Sequence, residues 1–174
     1  QVGDEILVGT KPVGTLITDN LLPGKNLYLL STGTGLAPFM SIIKDIDVYD
    51  QYEKVVLTHG VRWVSELAYQ QRIENELPNN EYFGDVVREK LIYYPTVTRE
   101  PFRNNGRLTD AITSGKLTRD IGLPDLNPET DRFMLCGSPA MLDDLTTILD
   151  SMGFKEARGG HPGHYVIERA FVEK

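Results

Sequence analysis

Leu27-Tyr28-Leu29-Leu30-Ser31-Thr32-Gly33-Thr34-Gly35-Leu36-Ala37-Pro38 reads as a strand, a glycine turn and the opening of a helix, in that order. Its first four residues are a short apolar run, the pattern of a strand buried on both faces. Pro38 suits the first turn of a helix. Gly33 and Gly35 flank Thr34, and glycines let a backbone come close to a phosphate. A helix start adds unpaired N–H groups and a partial positive charge. By itself, Gly-x-Gly-x-x-Pro is equally a plain tight turn before a helix.

Working outward, apolar runs at 54–59, 91–98, 132–136 and 165–169 read as strands beside the first at 27–31. Helical patterns fall between them. Phe39, Met40, Ile42, Ile43 and Ile46 share one face over 39–47. Leu67, Ile73 and Leu77 do so over 65–77, with Ser65 as N-cap. Met141, Leu142, Leu145, Ile148, Leu149 and Met152 repeat at steps of one, three and four, and Gly153 stops that helix. Strand alternating with helix predicts an α/β fold with a five-stranded parallel sheet flanked by helices. The two-proline stretch 122–131 reads as a surface connection.

Residues 1–22 are different. Glu5-Ile6-Leu7-Val8 and Val13-Gly14-Thr15-Leu16-Ile17-Thr18 read as two short β segments, too few to bury a core. The simplest expectation is the end of a β domain whose earlier strands are missing. Leu22-Pro23-Gly24-Lys25 would be the boundary, with the second domain over 23–174.

Composition narrows the function classes. A net charge of -7 argues against nonspecific nucleic-acid binding, so any phosphate must be held by local arginines. No run approaches ~18 apolar residues, so no membrane span is expected. A single cysteine rules out an internal disulfide and fits a reducing compartment, the cytoplasm. His161 and His164 make a His-x-x-His spacing without a third ligand, and no metal site is expected. His59, at a strand end, reads as a hydrogen-bonded structural residue.

Ligands of parallel α/β sheets sit beyond the carboxyl ends of the strands. Those ends here are Thr32-Gly33-Thr34-Gly35, Thr58-His59-Gly60-Val61-Arg62, Thr98-Arg99-Glu100-Pro101-Phe102-Arg103-Asn104-Asn105-Gly106-Arg107 and Gly137-Ser138-Pro139. Glycines, hydroxyls and arginines recur at all four, the composition of a nucleotide site. Arg99 and Arg107 alone are equally a solvated surface pair. Their place at the end of the third strand, with Thr98 adjacent, favours binding.

Ser31-Thr32-Gly33-Thr34-Gly35-Leu36-Ala37-Pro38, Thr98-Arg99-Glu100, Leu135-Cys136-Gly137-Ser138-Pro139 and the ending Glu168-Arg169-Ala170-Phe171-Val172-Glu173-Lys174 together resemble bacterial ferredoxin–NADP reductases. That family pairs an FAD-binding antiparallel β barrel with an NADP-binding α/β domain. The resemblance implies that 1–22 are a barrel remnant and that 23–174 are the NADP-binding domain. The barrel's Arg-x-Tyr-Ser flavin motif does not occur in the sequence, so most of the FAD site is expected upstream.

Carried over position by position, the resemblance puts Gly33, Thr34 and Gly35 where flavin and nicotinamide meet. Arg62 would face the pyrophosphate or ribose side of NADP, and Thr98, Arg99 and Arg107 would hold the 2′-phosphate. Guanidinium groups suit that task because they stay charged and bind phosphate with two prongs. Arg103 falls outside the matched positions. Cys136, beside Gly137 and Ser138, would position the nicotinamide without acting as a nucleophile; Glu168 would handle a proton. Ala170 replaces the stacking aromatic of plant-type relatives. Phe171, Val172, Glu173 and Lys174 would extend along the flavin, or else simply end the last strand in solvent. The implied reaction is hydride transfer between NADPH and FAD, with ferredoxin or flavodoxin as electron partner. The alternatives are an oxygenase-linked reductase of the same superfamily and a non-enzymatic nucleotide-binding module.

Overall fold

The computed structural model describes Gly3, Glu5 and residues 16–169. The expected β segments of the first 18 residues therefore lie almost wholly outside the described residues, as do Ala170, Phe171, Val172, Glu173 and Lys174.

Five strands form one all-parallel sheet: β1 (Asn26–Thr32), β2 (Lys54–Val61), β3 (Leu91–Val97), β4 (Asp131–Cys136) and β5 (Tyr165–Glu168). Their order across the sheet is β3-β2-β1-β4-β5. β1 is central because its apolar run can be covered twice. Leu27 and Leu29 join the layer built by α1 (Leu36–Ile42), α2 (Ile46–Gln51) and α3 (Gly84–Lys90). Tyr28 and Leu30 join the layer built by α4 (Leu108–Thr113), α5 (Lys116–Ile121) and α6 (Pro139–Ser151). All four side chains have no exposed surface. The chain leaves β1 in one direction through β2 and β3, and in the other through β4 and β5. The strand order thus reverses at β1/β4, which opens a crevice at their carboxyl ends.

Helix α6 follows its sequence signals. The Ser138 hydroxyl accepts the Met141 N–H at 3.3 Å, and Pro139 occupies the first turn. Met141, Leu142, Leu145 and Leu149 are buried, and Gly153, at φ +90°, ends the helix.

The other two helical expectations need correction. The 39–47 pattern is split between α1 and α2, because the Asp45 carboxylate accepts the Asp47 N–H at 3.1 Å and starts a new helix. Ile46, expected on the buried face, is 46% exposed. The 65–77 pattern is not one helix, and Ser65 caps nothing. A 3-10 turn spans Val64–Glu66, the backbone reverses at Tyr69 with φ +61°, and a π-helical turn spans Arg72–Glu76. Leu67 packs with Val61 and Val97, whereas Ile73 and Leu77 enter the α1–α3 layer. Their spacing is helical, but they belong to two clusters.

The entry to the domain is pinned by Arg132. Its guanidinium, on a residue only 4% exposed, donates to Leu22 O at 2.9 Å, Pro128 O at 2.7 Å, Asp131 O at 2.6 Å and Pro23 O. A Cβ at Gly24 would lie 2.7 Å from Arg132 Cγ, so glycine is the residue that lets the chain cross this side chain. Among the described residues, no helix is long and apolar enough to cross a membrane.

Candidate functional site

A cavity of about 860 Å³ opens over the carboxyl ends of β1, β2, β3 and β4. Its back wall is the loop after β1. There Thr32 leads into a 3-10 turn over Gly33–Gly35, with Gly33 at φ +52°. The turn lies tight against the end of β4: a Cβ at Gly35 would fall 2.1 Å from Cys136 O. Gly137 is equally tight, since a Cβ there would sit 2.4 Å from Thr32 Oγ1. The Ser138 N–H donates to that Thr32 hydroxyl at 3.1 Å and ties the two loops together at the base of the crevice. His59 braces the turn from β2. Its Nε2 lies 3.1 Å from Gly33 O, and a carbonyl only accepts, so Nε2 carries the proton. Burial lowers the imidazole pKa, the Gly33 hydrogen bond opposing it in part, and keeps the ring neutral.

The other end of the cavity is cationic. The β2–β3 ladder continues past the strands: Thr98 N donates to Val61 O at 3.1 Å, and Arg99 N to Arg62 O at 2.9 Å. Glu100 accepts the Val64 N–H, and Glu66 accepts those of Arg62 at 2.8 Å and Trp63 at 3.2 Å. Those two N–H bonds, with the Arg62 and Arg99 charges, hold the Glu66 carboxyl below its usual range. Two loops 37 residues apart are thereby laced together. Further along, the Gly106 N–H donates to Val97 O at 3.0 Å and returns the chain so that Arg107 reaches the cavity.

Among the described residues, ion pairs hold four of the arginines. Arg72, Arg88, Arg103 and Arg158 each pair with a carboxylate. Arg62, Arg99 and Arg107 form no ion pair with any other described residue, and all three are exposed. Arg62 and Arg107 on the lining, with Arg99 beside it, bring positive charge to this end of the cavity in a chain of net charge -7, with Glu66 among them.

Over residues 29–147 the chain matches the model of the oxidoreductase NAD-binding domain family. It is 65% identical over 173 residues to the ferredoxin–NADP reductase of Pseudomonas aeruginosa, and 66% identical over 173 residues to that of Azotobacter vinelandii. Each match covers 99% of this chain and 67% of the relative. The chain belongs to the ferredoxin–NADP reductase family. It spans about two thirds of the length of these relatives. The ferredoxin NADP+ reductase of Neisseria gonorrhoeae, solved with bound FAD and NADP, matches with a TM-score of 0.79 at 28% identity. That match covers 90% of this chain and 60% of the other.

Within this reductase fold, the expected site residues fall into three groups. Gly33, Thr34, Arg62, Thr98, Arg107, Gly137 and Ser138 line the cavity together. Gly35 supports it from below, and Arg99 stands outside the lining with its backbone tied to Arg62. Cys136 and Glu168 form a separate pair. They are register partners at the carboxyl ends of β4 and β5, with Cys136 in the α1–α3 layer, and neither is among the residues that line the cavity. The Cys136 thiol is buried, and burial together with the Glu168 charge raises its pKa, which leaves it protonated and unreactive. Thr98 Oγ1 donates to Val61 O at 3.3 Å, so it must rotate to donate to a ligand. Arg103 is held by Glu74 and lies over the Phe102 ring.

Thr32 and Gly60, in the strand-end loops read from the sequence, also line the cavity, as do Glu66, Tyr69, Thr96 and Asp144, which the sequence did not single out. Thr96 lies inside a strand, where a hydroxyl looks unremarkable. Its alternation with Thr98 was the available signal that both share a face. Nothing in the sequence marks the positive φ of Tyr69. Among the described residues no group of three or more His, Cys, Asp or Glu converges as a metal site; His164 Nδ1 accepts the Lys155 N–H at 3.0 Å.

Proposed function

We propose that this chain is the NADP-binding part of a flavoprotein that exchanges electrons between NADPH and ferredoxin or flavodoxin. Residues 1–22 are the end of the FAD-binding barrel and 23–174 the NADP-binding domain. The observation that supports this reading is the placing of Arg62 and Arg107, free of ion pairs to other described residues, on the lining of a cavity whose far wall is the Gly33–Gly35 turn, with Arg99 just beyond it. The residues fit the dinucleotide. Gly35 and Gly137 let the loops after β1 and β4 pack backbone to backbone at the cavity wall, and the guanidiniums supply the charge that a 2′-phosphate requires.

Arg107, with Thr98 and Arg99, holds the 2′-phosphate; Arg62 faces the linking phosphates and ribose. The start of α6, at Ser138, and the Gly33–Gly35 turn orient the chain of the nucleotide toward the β4–β5 edge. There Thr34, Cys136 and Glu168 surround the nicotinamide. Cys136 contributes a buried, neutral wall, and Glu168 contributes the one carboxylate of β5, placed to hold a proton. FAD, when bound, supplies the step between two-electron hydride transfer and one-electron transfer; the protein supplies binding, orientation and exclusion of water. Ala170, Phe171, Val172, Glu173 and Lys174 extend along the flavin in this reading.

The intact protein should be yellow and should reduce ferredoxin or flavodoxin with NADPH in preference to NADH. Equal rates with both nucleotides would refute the arginine assignment. A colourless intact protein that binds NADP would instead support a nucleotide-binding module without redox chemistry.

A further inference from the structure

At the floor of the cavity lies a hydroxyl without a partner. Thr96 is 3% exposed, and its Oγ1 makes no hydrogen bond to any described residue. Across the β2–β3 register it faces Gly60, which in turn faces Thr32 on β1. Gly60 keeps the space above this row open. A Cβ there would come within 3.2 Å of Thr32 Cγ2 and 3.4 Å of Thr96 Oγ1. Tyr94, Thr96 and Thr98 alternate onto one face of β3. Tyr94 packs into the α4–α6 layer and donates to Asp120 at 2.6 Å, Thr98 reaches the cationic rim, and Thr96 lies between them.

A buried hydroxyl left unpaired costs free energy, and valine has the same shape without that cost. The neighbouring position, Val97, shows that the strand accommodates valine. We propose that Thr96 is a further nucleotide-binding residue, its hydroxyl pairing with a ribose hydroxyl of the adenosine half of the dinucleotide.

Place and charge select that partner. β3 is three strands from β4, about 14 Å at the usual strand spacing, so Thr96 is remote from the Cys136–Glu168 edge and from the nicotinamide. Along β3 it lies two residues below Thr98, about 6.6 Å deeper than the rim that takes the phosphate. A phosphate dianion drawn down to Thr96 would leave the exposed guanidiniums for a buried neutral site, at a large desolvation cost. A neutral sugar hydroxyl, carried on the ring that bears the phosphate, matches both the depth and the lack of charge.

This inference rests on the NADP reading above and is separable from it by experiment. In the intact protein, Thr96→Val and Thr96→Ser are compared with the unsubstituted form by calorimetric titration with NADP, NAD, 2′,5′-ADP and nicotinamide mononucleotide. Thr96→Val should weaken NADP, NAD and 2′,5′-ADP by a common factor of about three- to tenfold, because the ribose is common to all three. Nicotinamide mononucleotide should bind as before, and Thr96→Ser should restore most of the loss. The ligand-free thermal midpoint of Thr96→Val should be equal or higher, which separates lost contact from misfolding. A loss confined to NADP and 2′,5′-ADP, a loss shared by nicotinamide mononucleotide, or no loss at all overturns the assignment of Thr96 alone. Failure of the unsubstituted protein to bind NADP or 2′,5′-ADP overturns the NADP reading together with it.

Discussion

Arg107 and Arg99 stand in the same loop system and differ in what they can reach. Arg107 lines the cavity; Arg99 is outside the lining, its backbone tied to Arg62 and its charge acting on Glu66. Replacing Arg107 with alanine should therefore cost about tenfold in NADP affinity and little for NAD, with a smaller loss for Arg99→Ala. Titration of both nucleotides against each variant checks this, and equal losses for NADP and NAD would remove Arg107 from the 2′-phosphate. His59 makes a second prediction. Burial lowers its folded-state pKa, so as pH falls below about 6.5 the unfolded chain takes up a proton that the folded chain refuses. Stability present above that pH should be lost on acidification. Urea midpoints at pH 7.5 and 5.5 should fall further apart for the unsubstituted protein than for His59→Asn; identical differences would show that the imidazole stays solvated.

At the scale of elements, two close approaches hold the site in shape. One is the Gly33–Gly35 turn against the end of β4, where Gly35 leaves no room for a Cβ. The other is the lead-in to β1, where Arg132 gathers the carbonyls of Leu22, Pro23, Pro128 and Asp131. Charged donors to buried carbonyls contribute about 1.5–3 kcal/mol each when unshared, and these four share one guanidinium. Arg132→Met should therefore destabilise the domain by about 2–3 kcal/mol and make the chain at residues 22–25 more sensitive to limited proteolysis. NADP affinity should stay within about twofold, because Arg132 begins β4 at the end opposite the cavity. Unchanged denaturant midpoints and cleavage rates would show that the linker holds itself in place.

For the molecule as a whole, the prediction concerns what the 174 residues do without the rest of a reductase. The cavity lies within residues 32–144, so NADP binding should survive in the isolated chain. On the proposed reading, turnover should need the flavin barrel as well. The purified chain should be colourless, should bind NADP, and should show no NADPH-dependent dye reduction. FAD retained stoichiometrically through gel filtration would place the flavin site within these residues after all.

The order of elements was legible in the chain because its evidence is local. The apolar run 27–30, too short for a helix and bounded by glycine, is a strand wherever it lands, and the repeat from Met141 to Met152 with Gly153 marks α6 whatever it packs against. The glycine turn and the Cys136-Gly137-Ser138 segment were legible for the same reason. Tertiary structure alone decided the rest. Helix α1 ends before α2 through one carboxylate, Asp45, that the continuing apolar pattern hides. Leu67 and Ile73 have helical spacing but answer to different clusters, and the path between them turns on the positive φ of Tyr69. Arg62, Arg99 and Arg107 look alike in sequence. Which of them reaches the cavity depends on backbone bonds between segments 37 residues apart, and periodicity carries no information about such pairing. Thr96 is the clearest case. Its residue type is ordinary for a strand, and only the assembled sheet, with Gly60 opposite and no partner among the described residues, makes its hydroxyl a candidate for the site.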